Sequence, residues 1–293
     1  MKHLTSALTV IGLLACGHAA AEDTLAKIRR TETLQIGVRE TPPFAFTDAN
    51  KQATGYAVEL CQRIADGIRK ELKLPGMKIQ YVPIDSVTRF SALVENKIDM
   101  ECGSTTNNAE RRQKYGFTIP HFFSSVKALV RTDSGIRNWG QMREKTVVTT
   151  RGTTTVQLLN SKNDISALRM KLTESASDQE SFRMVEEKKA DVFPMDDVLL
   201  YSLKAESKNP ADFQIIGEPL SVEPYSIMFR KGDPAFKKIV DAEMLKLVHD
   251  GDIYKIYDRW FMKPIPPKNA NLKMPMSFLL RDSLRFPSDQ LGD

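Results

Sequence analysis

The sequence predicts an α/β protein with two lobes, and three observations support this prediction. From residue 34 to about residue 105, strand-like and helix-like segments follow one another in the order β-α-β-α-β. A second alternating set begins near residue 126, and a strand followed by a helix returns after residue 225. Because alternating strands and helices form sheets covered by helices, each set predicts one lobe with a mostly parallel sheet.

The first set is defined by apolar periodicity. Gly55–Leu72 has apolar residues at positions 57, 60, 61, 64, 65 and 68, the spacing of a helix with one buried face. Ser86 is a candidate N-cap for a helix over Ser86–Lys97. The strands predicted around these helices are Leu34–Val38, Lys78–Ile84 and residues 98–102.

The second set, and the strand and helices that follow it, are predicted from the same apolar patterns: alternation for strands and helical spacing for helices. The predicted strands of the second set are residues 126–131, 146–150, 190–196 and 213–217. Helices are predicted after Gly152 and over residues 177–189 and 197–206. The chain then returns with a strand from Tyr225, helices over residues 234–250 and 252–261, a Pro-rich connector and a short terminal helix.

Size and composition are those of a soluble globular protein. The chain has 293 residues, enough for two domains, with 41% hydrophobic and 27% charged residues. The net charge of +5 is spread along the chain without a block of like charges, which argues against a nucleic-acid partner.

The N-terminus predicts export. Residues 1–21 combine a basic start, a short apolar stretch and the sequence Ala19-Ala20-Ala21, the pattern of a cleaved signal peptide. An alternative is a lipoprotein box at Leu13–Cys16, which would place a lipid anchor on Cys16. No other stretch has the length of a transmembrane helix.

The remaining cysteines leave two possibilities open. Cys61 and Cys102 can form a disulfide in an oxidising compartment, or can both be small buried residues. The chain has no C-x-x-C pair, and two of its four His lie in the predicted signal peptide. We therefore expect no metal and no cofactor.

Polar residues cluster where the predicted strands end. In an open α/β sheet, ligands bind outside the carboxyl ends of the strands. The residues at these ends are Arg39, Ser86, residues 104–108, residues 150–155, Asp196 and Asp197. They include no pairing of His with Ser or Cys, so they predict a site that holds a charged small molecule rather than one that breaks it.

The residue types suggest which groups such a ligand carries. Arg111 offers a planar fork for a carboxylate, whereas Arg112 is predicted to be a solvated surface residue. The segment Arg151–Thr155 provides a Gly turn and a helix N-terminus that can bind an anion, although an ordinary Thr N-cap is the favoured explanation of this segment on its own. Of Asp196 and Asp197, one can cap a helix and the other can pair with an ammonium group.

These motifs match a known family. The segments "VRETPPFAF", "VPIDSVTR", "DMECGSTTNNAER", "MDDVLL" and "WFMKPIPPKN" resemble the periplasmic solute-binding proteins of polar amino-acid ABC transporters, and within them the glutamate/aspartate group. The resemblance covers nearly the whole chain after residue 21. It implies two α/β lobes joined by two hinge crossovers, with residues 22–125 and 224–293 in lobe 1 and residues 126–223 in lobe 2.

The resemblance also implies a role for each site residue. Arg111, with Thr106 and Thr154 beside it, is expected to hold the ligand α-carboxylate. Asp196 is expected to pair with the α-ammonium, with Ser104 nearby. The side-chain carboxylate of the ligand is expected to meet Arg39, Ser86 and Arg89.

One loop departs from the family pattern. The glutamate/aspartate group has a His before "SFR", where this chain has Asp178 and Gln179. Gln179 can donate a hydrogen bond to a ligand side chain, whereas Asp178 would repel an acidic one. Glutamate or aspartate remains the expected ligand, and glutamine, asparagine or another dicarboxylate is less strongly excluded.

The implied function is capture of an acidic amino acid in the periplasm by a monomer that delivers it to an inner-membrane ABC permease. The alternative is a dehydratase of the cyclohexadienyl type on the same scaffold, for which Glu40, Glu101 and Glu180 are the candidate proton donors. Of these, Glu101 is expected to support the Arg side chains instead. A sensor role would require a separate membrane partner.

Overall fold

The structure is a computed structural model that describes residues 23–266 and 268–290. The predicted signal peptide, residues 1–21, and the possible lipid anchor at Cys16 lie outside the described residues. Within the described ranges, no helix combines the length and the apolar character needed to cross a bilayer.

Strands and helices alternate along most of the chain. In chain order the strands are β1 (Thr33–Val38), β2 (Phe46–Thr47), β3 (Ala53–Thr54), β4 (Lys78–Pro83), β5 (Met100–Glu101), β6 (Tyr115–Phe117), β7 (Phe122–Ser124), β8 (Val126–Arg131), β9 (Thr146–Thr150), β10 (Lys171–Ser175), β11 (Val192–Asp196), β12 (Phe213–Ile216), β13 (Glu223–Tyr225) and β14 (Met228–Arg230). The α-helices are α1 (Thr24–Thr31), α2 (Tyr56–Leu72), α3 (Thr88–Val94), α4 (Ala109–Arg112), α5 (Thr154–Ile165), α6 (Asp178–Glu186), α7 (Asp197–Glu206), α8 (Pro234–His249), α9 (Asp252–Phe261) and α10 (Phe278–Arg285). Short 3₁₀ helices span Thr132–Ser134, Trp139–Met142 and Pro210–Asp212.

Two five-stranded sheets form the centres of two lobes. The first has the strand order β4-β1-β5-β14-β6, and the second has the order β10-β9-β11-β8-β12. In the first sheet β1 is parallel to both its neighbours, whereas β14 is antiparallel to both of its own. In the second, β9 runs parallel to both neighbours and β8 runs antiparallel to both. The mostly parallel sheets predicted from the sequence are thus mixed sheets with a parallel part.

Two short strands carry the chain between the lobes. Strand β7 leads from the first sheet to the second, and β13 leads back, with Tyr225 opposite Phe122 and Glu223 opposite Ser124 in an antiparallel pair. The two-lobed α/β architecture with two crossovers is therefore confirmed. The predicted lobe boundaries, after residues 125 and 223, stay predictions; they fall just beyond β7 and inside β13.

An aromatic cluster anchors both crossovers in the first lobe. The ring of Phe122 lies 5.0 Å from that of Phe44 and 5.0 Å from that of Phe261, and Tyr225 lies 5.1 Å from Phe44. All four side chains are buried. Large buried rings contribute strongly to core stability, so the crossover strands have fixed positions relative to the first sheet.

Helix α2 confirms the periodicity of the sequence. It covers Tyr56–Leu72, one residue shorter than predicted, and buries the predicted apolar face against α8 and α9. Cys61, on this face, forms a disulfide with Cys102, which follows β5. Of the two possibilities that the sequence left open, a disulfide or two free buried cysteines, the structure shows the disulfide.

The predicted N-cap at Ser86 is wrong. Helix α3 begins at Thr88, and the Asp85 carboxylate accepts hydrogen bonds from the backbone N–H groups of Val87 at 2.8 Å and Thr88 at 2.7 Å. The Asp85 carboxylate therefore satisfies backbone donors at the start of α3, and the Ser86 side chain does not. The hydroxyl of Ser86 is left for another partner, described below.

Candidate functional site

The strand-end residues from the two lobes meet in one cleft. The buried members are Arg39, Ser86, Arg89, Ser104, Thr106 and Asp196; Arg111 and Thr154 are half-buried. Charged side chains are rarely buried unless they are paired or bind a ligand, so this density of buried polar groups marks a site.

Hydrogen bonds cross the cleft directly. The hydroxyl of Ser86 donates to the carbonyl of Arg151 at 2.7 Å, and Nη2 of Arg89 donates to the carbonyl of Gly152 at 3.3 Å. In each pair the first residue belongs to the part of the chain that builds the first sheet, and the second follows β9 of the second sheet. The structure therefore shows the two lobes in contact, with the cleft closed.

Arg111 is held in the cleft by its own helix and by the chain before it. The N-cap residue Asn108 accepts a hydrogen bond from the Arg111 backbone N–H at 2.9 Å, which fixes the start of α4, and Nη1 of Arg111 donates to the Thr106 carbonyl at 3.0 Å. The guanidinium lies over the ring of Phe90, 5.2 Å from its centroid. Burial lowers the pKa of Arg111, and the nearby carboxylate of Glu223 acts in the opposite direction. This held, partly desolvated fork is suited to a carboxylate.

Glu223 is a site residue that the sequence did not reveal. One oxygen of its carboxylate, Oε2, accepts hydrogen bonds from the hydroxyls of Thr106 at 2.7 Å and Thr154 at 2.9 Å. The residue lies on the crossover strand β13 and is 4% exposed. It thus joins a hydroxyl from the first lobe to one from the second.

Asp196 provides an acceptor with spare capacity. Its Oδ2 accepts a hydrogen bond from the hydroxyl of Tyr225, and its buried Oδ1 has no hydrogen-bond partner among the described residues. Burial raises the pKa of Asp196 well above its usual range, and the carboxylate of Glu223 raises it further. Asp197 serves the local structure instead, because its carboxylate accepts hydrogen bonds from the hydroxyls of Ser124 at 2.8 Å and Ser125 at 3.2 Å.

Two further arginines line the cleft, and the guanidinium of one of them, Arg89, lies 4.8 Å from the centroid of the same Phe90 ring. Nη2 of Arg39 donates to the Ser104 hydroxyl at 2.8 Å, and Nη1 of Arg89 donates to the Thr105 hydroxyl at 2.6 Å. Burial, together with repulsion from Arg111 and Arg39, lowers the pKa of Arg89 to about 9. The guanidinium of Arg89 therefore remains charged at neutral pH, and a second negative charge from a ligand would relieve that repulsion.

The loop that departs from the family pattern contacts Arg39 through Asp178. The Asp178 carboxylate, 3% exposed, lies 3.4 Å from Nη1 of Arg39 and accepts a hydrogen bond from the hydroxyl of Thr150 at 2.5 Å. Gln179 is exposed, and its side-chain amide donates to the Glu40 carbonyl across the mouth of the cleft at 3.2 Å. Of the two residues predicted to share this position, Asp178 is the buried one.

The candidate proton donors have different surroundings. The Glu40 carboxylate accepts a hydrogen bond from the Thr47 hydroxyl, and the Glu180 carboxylate accepts one from the Ala176 N–H at 2.9 Å. Glu101 is fully buried, and in the described part of the chain neither of its carboxylate oxygens has a hydrogen-bond partner. Its charge favours the charged forms of Arg89 and Arg111, which agrees with the predicted supporting role.

The described residues contain no group of three or more His, Cys, Asp or Glu that could hold a metal ion. The described residues of the cleft offer a ligand three arginines, a buried oxygen of Asp196 without a hydrogen-bond partner, and a set of hydroxyls. This arrangement can bind a small zwitterion that carries additional negative charge.

Known proteins are similar to this chain in sequence and in fold. The chain is 38% identical to an L-glutamate/L-aspartate-binding protein of Pseudomonas aeruginosa, over 99% of this chain and 97% of that protein. It is 35% identical to a glutamate/aspartate import solute-binding protein of Salmonella typhimurium, over 99% of this chain and 98% of the relative. Among solved structures, an ancestral arginine-binding protein bound to arginine matches with a TM-score of 0.71 and 26% identity, over 78% of this chain and 98% of that one.

The solved relatives confirm the predicted two-lobed binding-protein fold, and both curated relatives are binding proteins rather than enzymes. The family model of the bacterial extracellular solute-binding proteins, family 3, matches residues 34–263, which include every candidate site residue. The chain therefore belongs to the bacterial extracellular solute-binding proteins of family 3.

Proposed function

We propose that this protein captures an acidic amino acid, L-glutamate or L-aspartate, in the cleft between its lobes. The observation that carries the proposal is the charge pattern of the cleft: three arginines, Arg39, Arg89 and Arg111, and a carboxylate oxygen on Asp196 that has no hydrogen-bond partner among the described residues. An acidic amino acid has the complementary groups, two carboxylates and one ammonium. The names of the two curated relatives agree with this ligand class.

Each ligand group has an assigned partner in this proposal. Arg111 binds the α-carboxylate through a bidentate pair, and Asp196 binds the α-ammonium through Oδ1. Arg39 and Arg89 bind the side-chain carboxylate. Ser104, which the resemblance placed near the ammonium, accepts a hydrogen bond from Arg39 and keeps its own proton for this carboxylate, whereas the Ser86 proton is donated to the Arg151 carbonyl. Because closure removes these groups from water, their charge-assisted hydrogen bonds are stronger than at an open surface.

Asp178 adjusts the charge at the side-chain end. Its ion pair with Arg39 cancels one positive charge, so that Arg39, Arg89 and Asp178 together present one net positive charge. That charge matches a single ligand carboxylate. The Asp178 carboxylate can also accept a hydrogen bond from the amide N–H of a glutamine or asparagine ligand. These two amino acids are therefore expected to bind more weakly than the acidic ones, but still to bind.

The protein is proposed to act in the periplasm and to deliver its ligand to an inner-membrane ABC permease. Support comes from the family, whose members are extracellular solute-binding proteins, and from the import role in the name of the Salmonella relative. The signal peptide predicted at residues 1–21 would account for export.

The test replaces the α-carboxylate partner. Calorimetric titration of Arg111→Ala with L-glutamate and L-aspartate is expected to show a loss of affinity of about 100-fold or more for both, because a partly buried charge-assisted pair is removed. The matched control is Arg112→Ala on the same short helix. The prediction of a solvated surface residue is wrong for Arg112, which is half-buried and donates to Oδ1 of Asn107 at 3.2 Å. Because Asn107 is not among the proposed ligand partners, this variant is expected to change affinity by less than about threefold. Full affinity in Arg111→Ala would contradict the assignment.

A further inference from the structure

The structure contains a carboxylate in the cleft to which the proposed function gives no ligand group. Glu223 lies on β13, two residues before Tyr225, and its Oε2 accepts hydrogen bonds from both Thr106 and Thr154. Both hydroxyls were expected, from the resemblance, to stand beside the ligand α-carboxylate. Their actual partner therefore determines what they can offer to a ligand.

A threonine hydroxyl has one proton and two lone pairs. When the proton is donated to Glu223, the hydroxyl can only accept a further hydrogen bond. An acceptor oxygen repels a carboxylate and attracts an ammonium group. With Glu223 in place, Thr106 and Thr154 thus present acceptors on both sides of the cleft.

The neighbouring contacts put these acceptors close to Asp196. Strand β13 carries both Glu223 and Tyr225, and the Tyr225 hydroxyl donates to Asp196. Side chains two residues apart on a strand face the same side, so Glu223 and Tyr225, which donates to Asp196, lie on one face of β13. Asp196 and the two hydroxyls can therefore surround a single cation.

We propose that Glu223 is a positioning residue that makes the site selective for a free α-ammonium group. It does so by taking the protons of the Thr106 and Thr154 hydroxyls, so that both accept hydrogen bonds from the ammonium together with Asp196. This inference rests on the proposed function, because it assumes an amino acid in the cleft. It assigns these hydroxyls to the ammonium instead of the α-carboxylate.

The experiment compares L-glutamate with glutarate, which has the same two carboxylates and no ammonium. The measured quantity is the ratio of the glutarate Kd to the glutamate Kd, from calorimetric titration at one pH. Glu223→Leu removes the acceptor, so the hydroxyls regain freedom to donate, and the ratio is expected to fall about tenfold, the worth of a hydrogen bond to a charged group.

The control is Glu223→Gln, which keeps an acceptor oxygen but loses the charge. Since the amide oxygen can still receive both hydroxyl protons, this variant is expected to keep the ratio within about threefold of the unsubstituted protein. Thr106→Val and Thr154→Val remove the hydroxyls themselves and are each expected to lower the ratio. These two variants test the inference even if Glu223→Leu does not fold.

A double-mutant cycle tests whether Glu223 acts through Thr106. In the Glu223→Gln background Thr106→Val should lower the ratio as much as it does alone, whereas in the Glu223→Leu background it should have little further effect. Additive losses in the Leu background would contradict the inference.

The other outcomes are equally decisive. Equal losses for glutamate and glutarate in Glu223→Leu would overturn the inference in favour of a purely structural role. A gain in affinity for both ligands would show that Glu223 competes with the ligand carboxylate. If the unsubstituted protein binds L-glutamate and the ratio is the same in every variant, the inference is overturned but the proposed function stands. If the unsubstituted protein binds no amino acid, the proposed function is overturned as well.

Discussion

At the scale of single residues, Asp196 combines a structural disadvantage with a functional advantage. Its carboxyl is buried, faces the negative charge of Glu223, and has a single hydrogen-bond donor, the Tyr225 hydroxyl, among the described residues. These surroundings favour the neutral form in the empty cleft. A ligand ammonium would reverse that preference, because it supplies the missing opposite charge.

Asp196→Asn is therefore expected to stabilise the ligand-free protein while it abolishes amino-acid binding. The pKa of Asp196 is raised in the folded state, so its contribution to stability is present below the usual carboxyl pKa of about 3.9 and is lost as the pH rises. An Asn side chain does not titrate, so the variant does not lose this contribution to stability as the pH rises. The difference in melting temperature between variant and parent should thus be small near pH 4 and grow towards pH 7.

Thermal melts of both proteins across this pH range, without ligand, measure the difference. Asp197→Asn is the control variant. The Asp197 carboxylate already accepts hydrogen bonds from two hydroxyls, so this substitution is not expected to stabilise the protein. A parent protein that is more stable than Asp196→Asn at pH 7 would contradict this account of Asp196.

The sequence predicted that the polar residues at strand ends lie near one another, because the ends of neighbouring parallel strands share one edge of a sheet; their roles towards a ligand stay predictions. It did not predict Glu223, since the role of that residue depends on Thr106 and Thr154 approaching it from two distant parts of the chain. It also named Gln179 as the residue of this loop that meets the ligand, whereas Asp178 is the buried one and Gln179 is exposed. Their difference depends on the start of α6, where the Ser177 side chain accepts from the Glu180 N–H.

At the scale of elements, the turn between β9 and α5 controls how closely the lobes approach. Gly152 in this turn has φ +73°, and a Cβ added to it would lie 2.8 Å from the carbonyl oxygen of Ser86 across the cleft. A backbone oxygen cannot move aside as the end of a flexible side chain can. Only glycine permits this approach together with the left-handed backbone.

Gly152→Ala is expected to weaken amino-acid binding by about tenfold or more, because the added methyl group keeps the lobes apart and strains the turn. Gly135→Ala is the matched control: Gly135 has the same φ of +73°, but an added Cβ there meets nothing within 4 Å. Both variants share the backbone strain, so only Gly152→Ala should lose affinity in a calorimetric titration. Equal affinities for the two variants would show that the close approach is unimportant.

The disulfide links a helix of the first lobe to the edge of the cleft. It joins Cys61 in α2 to Cys102, two residues before Ser104, and the two positions are 41 residues apart. A cross-link over a loop of this length is expected to stabilise the folded state by about 4 kcal/mol in the chain-entropy model.

The variant with Cys61→Ala and Cys102→Ala is accordingly expected to lose about 2–4 kcal/mol of unfolding free energy in urea titrations. The fully buried environment of both residues suits Ala better than Ser as the replacement. Unchanged stability of the double variant would mean that the bond does not constrain the unfolded chain.

The elements themselves were predicted unevenly. Helix α2 and strand β9 appeared at their predicted places because their apolar residues follow one clear period. Strand β10 was missed, since most of its residues are exposed and its sequence, KLTES, has no apolar alternation. The crossover strand β7 was missed for a different reason: its three residues are too few to display a period.

At the scale of the whole molecule, the closed cleft links ligand binding to stability. The lobes contact each other through Ser86 and Arg89 on one side and Arg151 and Gly152 on the other. A ligand enclosed there interacts with both lobes at once, and it binds the folded protein but not the unfolded chain. At a concentration of about 100 times its Kd, such a ligand adds roughly 2.7 kcal/mol to the free energy of unfolding.

The most direct test of the proposed function is a binding panel on protein that has been unfolded, freed of co-purified ligand and refolded. The twenty amino acids are compared by thermal shift, and those that stabilise the protein are then titrated in a calorimeter. We expect saturable one-to-one binding, with L-glutamate or L-aspartate the tightest and their amides weaker. Tightest binding of a neutral or basic amino acid, or binding of none, would contradict the account.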